Sequence, residues 1–273
     1  MSERRTGTAA AGNDAPPYRL VDMHCHLDLM ANADEVAADA AARGIAFFDT
    51  TVTPKDAQAA TARFTHVPNV RAGVGLHPWY LADGRCDGTD ADRAALEAAQ
   101  SRFVGEVGLD FSERHRESFA LQAEAFGLIM HACAERPQRG RIISLHAVRS
   151  ATAVLDILER FDLTHSAACI FHWFSGTSNE LARARAIGCW FSVNERMFAS
   201  KKGREYARQI PADKLLLETD APPELGQPYA AALIEASLET TLDQLAELRN
   251  ENRTELSTRI AATSCKLLGV AEG

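Results

Sequence analysis

A chain of 273 residues, 46% hydrophobic and 24% charged, carries ample apolar material for a core and reads as a soluble globular protein. Its formal net charge of −8 argues against a broad basic face that coats nucleic acid, though not against a phosphodiester held at a local metal site. No run of about 18 apolar residues occurs, so no membrane-spanning helix is expected.

Residues 1–17 are small and polar and end in Pro16-Pro17, which predicts a disordered N-terminal tail before a single domain over 18–273. Arg4-Arg5 is the start of a twin-arginine export signal only if an apolar segment follows. Here Ala, Thr and Gly follow instead, so that reading fails. The six cysteines (Cys25, Cys86, Cys133, Cys169, Cys189, Cys265) are scattered without a C-x-x-C pair. Most sit within apolar patterns, as buried thiols of a reducing cytoplasm do.

Beyond the tail, short apolar runs occur at 19–26, 45–51, 70–76, 102–109, 141–146, 167–173, 189–193 and 214–219. Segments with three- and four-residue apolar spacing lie between them, most clearly at 34–43, 118–135, 151–161 and 179–187. Gly44 and Gly188 follow two of these, where C-terminal caps belong. Two further helices are expected near 230–249 and 252–268. Eight strands alternating with helices predict a parallel sheet closed into a (β/α)8 TIM barrel with extra C-terminal helices. A doubly wound sheet is the alternative, but the G-x-G-x-x-G turn that its dinucleotide-binding members use is absent.

Unusual polar residues fall at the carboxyl ends of these strands, which in a barrel share one mouth. The first strand ends in Asp22, His24 and His26, with both histidines on one face and Cys25 on the other. The third ends at His77, the fourth carries Glu106 and Asp110, the fifth ends at His146, the sixth at His172, and the eighth at Glu218-Thr219-Asp220. Each residue alone has an ordinary structural explanation. A carboxylate buried among histidines, however, is costly unless a cation offsets it, and that favours a metal centre. His66, His115, His131 and His165 lie off these ends and read as structural or solvated.

Taken together, D-M-H-C-H-L-D, G-L-H-P, G-E-V-G-L-D, H-W-F-S-G and E-T-D-A-P resemble the TatD family of metal-dependent deoxyribonucleases, over roughly residues 19–270. The stretch at 112–116, Leu145-His146 with the residues to Ala151, and 188–193 further resemble the TatD-like component of Qat anti-phage defence operons. The resemblance implies two divalent ions, Mg, Mn or Zn. His24, His26 and Asp220 would hold one and His146 with His172 the other, bridged by Glu106. It implies Asp220 and Glu106 as catalytic groups, His77, Arg149 and Trp173 as substrate contacts, and Asp22 as an outer partner of the histidines.

Arg149 stands one place later than the family's arginine after the strand-five histidine, and the residues after Asp220 depart from the family's R-x-N-x-P. The expected activity is a metal-dependent 3′-5′ exonuclease on single-stranded DNA or DNA ends, serving anti-phage defence with other Qat proteins. Trp79, Phe174 and Trp173 would stack on bases. Two alternatives stand beside it. One is an amidohydrolase acting on a small molecule, disfavoured because strand four offers Glu106 where many such enzymes use a lysine. The other is a non-catalytic, metal-bound subunit of a defence complex.

Overall fold

Nine short strands are laid down in chain order: β1 Leu20–Cys25, β2 Ile45–Asp49, β3 Val70–Ala72, β4 Val74–Leu76, β5 Phe103–Asp110, β6 Arg141–Val148, β7 Ala167–His172, β8 Trp190–Val193 and β9 Leu215–Leu217. The structure, a computed structural model, describes residues 16–270, so the expected tail falls outside it except for Pro16 and Pro17. Every apolar run becomes a strand, and the run at 70–76 becomes two. The break falls at Gly73, where a Cβ would sit 2.8 Å from the Gly105 carbonyl oxygen and 2.9 Å from the Phe48 ring. Only glycine lets the chain pass there.

The pairings are all parallel, in the orders β1-β2-β3 and β4-β5-β6-β7-β8-β9. Backbone bonds link the two groups. Glu106 N donates to Thr51 O at 2.9 Å, Asp220 N to His24 O at 2.9 Å, and His26 N to Ala221 O at 2.7 Å. This is the (β/α)8 arrangement, with its ladder interrupted at two seams.

The helices are α1 Ala33–Ala42, α2 Pro54–Phe64, α3 Pro78–Ala82, α4 Gly88–Gln100, α5 Phe119–Glu135 and α6 Ala151–Arg160. They continue with α7 Leu163–Ser166, α8 Ser178–Ala186, α9 Glu195–Phe198, α10 Lys201–Gln209, α11 Ala231–Arg249 and α12 Arg253–Leu268. All six helices read from spacing lie within one residue of their expected ends. Gly44 (φ 71°) and Gly188 (φ 87°) take the left-handed cap conformation after α1 and α8. Thr53 caps α2 before Pro54, and Asp87 and Thr177 each close a capping box.

The strands pack on both faces. One face joins the helices in the main core. The other supplies a smaller cluster of Val21, Met23, Ala46, Phe48, Ile142, Ile170 and Leu216, closed by Cys265 and Leu268 from the end of the helix over 253–268 and by Val270 just beyond it. Strand alternation then stacks polar residues above this apolar floor. Ser144 and His146 follow Ile142 on β6, His172 follows Ile170 on β7, and Glu218 follows Leu216 at the end of β9. Buried Arg141 ties the base together, its guanidinium donating to the carbonyls of Ala98, Ala99, Ser101 and Cys133.

Candidate metal centre

Glu106 lies at the centre of the mouth, 1% exposed. Its two carboxylate oxygens face different histidines. Oε2 is 3.3 Å from His24 Nε2 and 3.4 Å from His26 Nε2. Oε1 is 2.6 Å from His146 Nδ1, 3.0 Å from His172 Nε2 and 3.3 Å from His77 Nε2. Asp220 joins the first set, with Oδ1 3.5 Å from His26 Nε2 and 3.8 Å from His24 Nε2. Strands β1, β5, β6 and β7 and the segment after β9 thus deliver the expected ligands to one place.

The partners on the far sides of the rings fix which nitrogen faces inward. His26 Nδ1 lies 2.6 Å from the Thr50 carbonyl, which can only accept, so Nδ1 carries the proton and Nε2 turns a lone pair inward. His24 Nδ1 meets the Ser144 hydroxyl at 2.7 Å. His24 Nε2 is buried without a hydrogen-bond partner, a costly state that a cation there would relieve. His172 Nδ1 is 3.8 Å from Glu218, whose oxygens are themselves held by Asn194 at 2.7 Å and by Ser192.

His77 differs. Its Nδ1 accepts from Trp79 N at 3.1 Å, which leaves the proton of the neutral ring on Nε2. Geometrically His77, Glu106 and His146 could hold an ion, but an inward N–H suits a phosphoryl oxygen better than a metal.

Electrostatics favour positive charge here. Burial works against a charged Glu106, yet His77, His172 and His24 together with the His146 hydrogen bond hold it well below the usual carboxylate range. Burial likewise disfavours a charged His26, but Asp220 and Glu106 outweigh it and push the ring up to about 9. A divalent ion at Nε2 would displace that proton. His77, dominated by burial, is lowered to about 4 and stays neutral. The mixed nitrogen and oxygen donor set, the unpartnered Nε2 of His24 facing Glu106 and a shared carboxylate fit divalent metal.

Three expected residues are placed otherwise. Asp22 reaches neither imidazole. It accepts from His24 N at 3.2 Å and from Thr219 N at 2.9 Å, where the β1–β2 register shifts, Met23 joins the floor and His24 faces the mouth. Arg149 is exposed, with φ 55°, and does not line the mouth; its left-handed backbone ends β6 and turns the chain into α6. Trp173 does not line the mouth either, because the Arg196 guanidinium covers its ring at 4.4 Å.

Arg196 was not read from the sequence. It donates to Thr219 O at 2.7 Å and Asp220 Oδ2 at 3.0 Å. The signal was a cation three residues beyond the end of β8, one of two expected strands whose ends drew no chemical residue. Trp79 lines the mouth and donates to Asp110 at 2.6 Å.

The sequence profile described as TatD related DNase matches residues 21–269. The chain is 28% identical over 246 residues to a "3'-5' ssDNA/RNA exonuclease TatD" of Citrobacter rodentium, covering 87% of this chain and 92% of that one. It is 29% identical to the protein of that name from Pantoea vagans, covering 72% and 77%. Among solved structures it resembles YjjV, a TatD homolog from Escherichia coli K12, with TM-score 0.76, 23% identity and coverage of 91% and 97%. A TatD family hydrolase from Entamoeba histolytica gives TM-score 0.74 at 16% identity, covering 93% and 99%. The chain belongs to the TatD-related DNase family of metal-dependent hydrolases.

Proposed function

We propose that this protein is a phosphodiesterase that removes nucleotides from the 3′ end of single-stranded DNA using two divalent ions. The observation that carries the reading is the division of Glu106, with one oxygen toward His24 and His26 and the other toward His146 and His172. Asp220 completes the first set. The names of the Citrobacter and Pantoea relatives support polarity and substrate, and RNA is an additional candidate.

Bound divalent cations supply charge stabilisation for the phosphoryl oxygens and make water easier to deprotonate. Asp220 has one oxygen fixed by Arg196 and the other turned toward the histidine pair. The oxygen turned toward the histidine pair takes the proton of the attacking water. The water oxygen joins phosphorus, the bond from phosphorus to the leaving 3′ oxygen breaks, and that oxygen takes up the proton that Asp220 received. The inward N–H of His77 donates to a phosphoryl oxygen, and Trp79, 40% exposed at the rim, offers its face to a base.

Anti-phage defence beside Qat proteins is the physiological setting we propose, on the strength of the motifs at 112–116 and 188–193. A reducing cytoplasm agrees with six buried, free cysteines. Among the described residues no helix is long and apolar enough to cross a membrane.

The test is cleavage of end-labelled single-stranded DNA by metal-stripped protein resupplied with Mg²⁺, Mn²⁺ or Zn²⁺. A ladder receding from the 3′ end, only with metal, is expected. Folded protein that binds the ions yet cuts nothing would redirect attention to small-molecule esters or amides.

A further inference from the structure

The mouth cavity, of about 240 Å³, is lined by Glu106, His77, Trp79, Leu225, Arg196 and Asp220 among others. A second cavity of about 380 Å³ lies beside it, toward the start of α11, lined by Glu195, Tyr229, Leu233, Ser237 and Thr240. Both are also lined by Arg196, Asp220 and Pro223, so the two are contiguous across those side chains. Arg196 is the one lysine or arginine lining either cavity.

Arg196 is built to stay in place. Its guanidinium lies on Trp173, and Nη2 alone makes its hydrogen bonds among the described residues, to Thr219 O and Asp220. The other nitrogens are left for a ligand, and the side chain is 43% exposed. A planar, anchored cation between two pockets is a phosphate-binding geometry.

Exposed apolar side chains mark the same track. The large hydrophobics that are exposed are Trp79, Leu96, Leu128, Leu225 and Leu233. Three of them, Trp79, Leu225 and Leu233, line these two cavities. Isolated exposed leucines need no explanation, but apolar groups concentrated along a groove with one fixed cation indicate a ligand with alternating flat and anionic parts.

We infer that the second cavity is a subsite for the nucleotide on the 5′ side of the scissile phosphate, the strand crossing Arg196 between the two cavities. The inference rests on the exonuclease reading. The terminal nucleotide occupies the mouth cavity, Arg196 holds the phosphate between, and the next base lies on Leu233. Glu195 keeps further phosphates off the floor of this cavity, so one nucleotide is held there rather than a long tract.

The experiment compares kcat/KM for dinucleotides with and without a base on their 5′ residue, and for single-stranded DNA of three and six nucleotides, using the full chain loaded with Mn²⁺. For the wild type, kcat/KM rises on the order of tenfold when that base is present and then levels off with further length. Leu233→Glu, which places a carboxylate on the proposed base platform, flattens that rise. Leu96→Glu, on the outer face of α4, keeps it. Arg196→Gln raises KM for every one of these substrates, since each carries the phosphate that Arg196 holds. Cleavage indifferent to the base on the 5′ residue, or a rise that survives Leu233→Glu, overturns the subsite while leaving the exonuclease standing. No cleavage at any length overturns both.

Discussion

The Ser144 hydroxyl lies 2.7 Å from His24 Nδ1, one residue pair inward from His146 on the same strand. That contact sets which nitrogen of His24 faces Glu106. Ser144→Ala keeps the ring but frees its rotation and tautomer. Metal affinity is expected to fall by about 10–100-fold with little change in melting temperature. Titration calorimetry with Mn²⁺ beside a thermal melt checks this, and unchanged affinity would show that ring packing alone orients His24.

Glu106→Gln preserves shape and removes the shared charge. Loss of cleavage by at least about 100-fold is expected, exceeding the effect of any outer partner. The apo protein has a different expectation. Without the carboxylate, the rings it supports as cations lose their counter-charge, and His26 and His172 titrate at lower pH than in the wild type. Histidine NMR titration on the metal-free variant reads this directly. Titration curves that overlay the wild type would sink it.

Gly108 lies in β5 at φ 145°, and a Cβ there would come within 2.1 Å of the His146 carbonyl oxygen. Backbone rather than a flexible side chain stands in the way, so Gly108→Ala should cost on the order of 3 kcal/mol or more and pull His146 out of place. Urea unfolding measures the cost. A stable variant with normal metal binding would mean that β5 and β6 separate more easily than their packing implies.

Much of this arrangement was legible in the residues themselves. His24, His26, His146 and His172 were found because strand periodicity and a strand's carboxyl end are local properties. Glu106 stood out as a charge inside an apolar run. Ser144 and Thr50 were not legible, since a serine in a strand and a backbone carbonyl acquire meaning only from a ring 120 or 24 residues away. Arg149 illustrates the opposite error. The family resemblance suggested it as a substrate contact although it stands one place late, and it lies exposed at a left-handed residue that ends β6. The split at Gly73 depended on crowding by Gly105 and Phe48, which no run of hydrophobicity records.

Glu180 offers a pH test away from the mouth. It accepts from Thr177 N at 2.6 Å and Thr152 N at 2.9 Å, linking the starts of α8 and α6. Burial pushes its carboxyl up, but these bonds and the two threonine hydroxyls outweigh burial and hold it below its ordinary 4.5. The folded value is therefore the lower one, so its contribution is present above about pH 4.5 and fades as pH falls further. The stability gap to Glu180→Gln, about 1 kcal/mol at pH 7, should shrink below that point in urea melts. A gap constant down to acid pH would assign it to shape rather than charge.

The clasp of Asp22 on Thr219 spans 197 residues of sequence. During synthesis, His24 and His26 leave the ribosome long before their partner carboxylate Asp220 exists. A nascent chain holding β1 to β5 has His24, His26 and Glu106 but lacks His146, His172 and Asp220. Full metal capture thus belongs to the finished polypeptide, and a chain cut short before Asp220 carries an incomplete ligand set while still translating beside its own message.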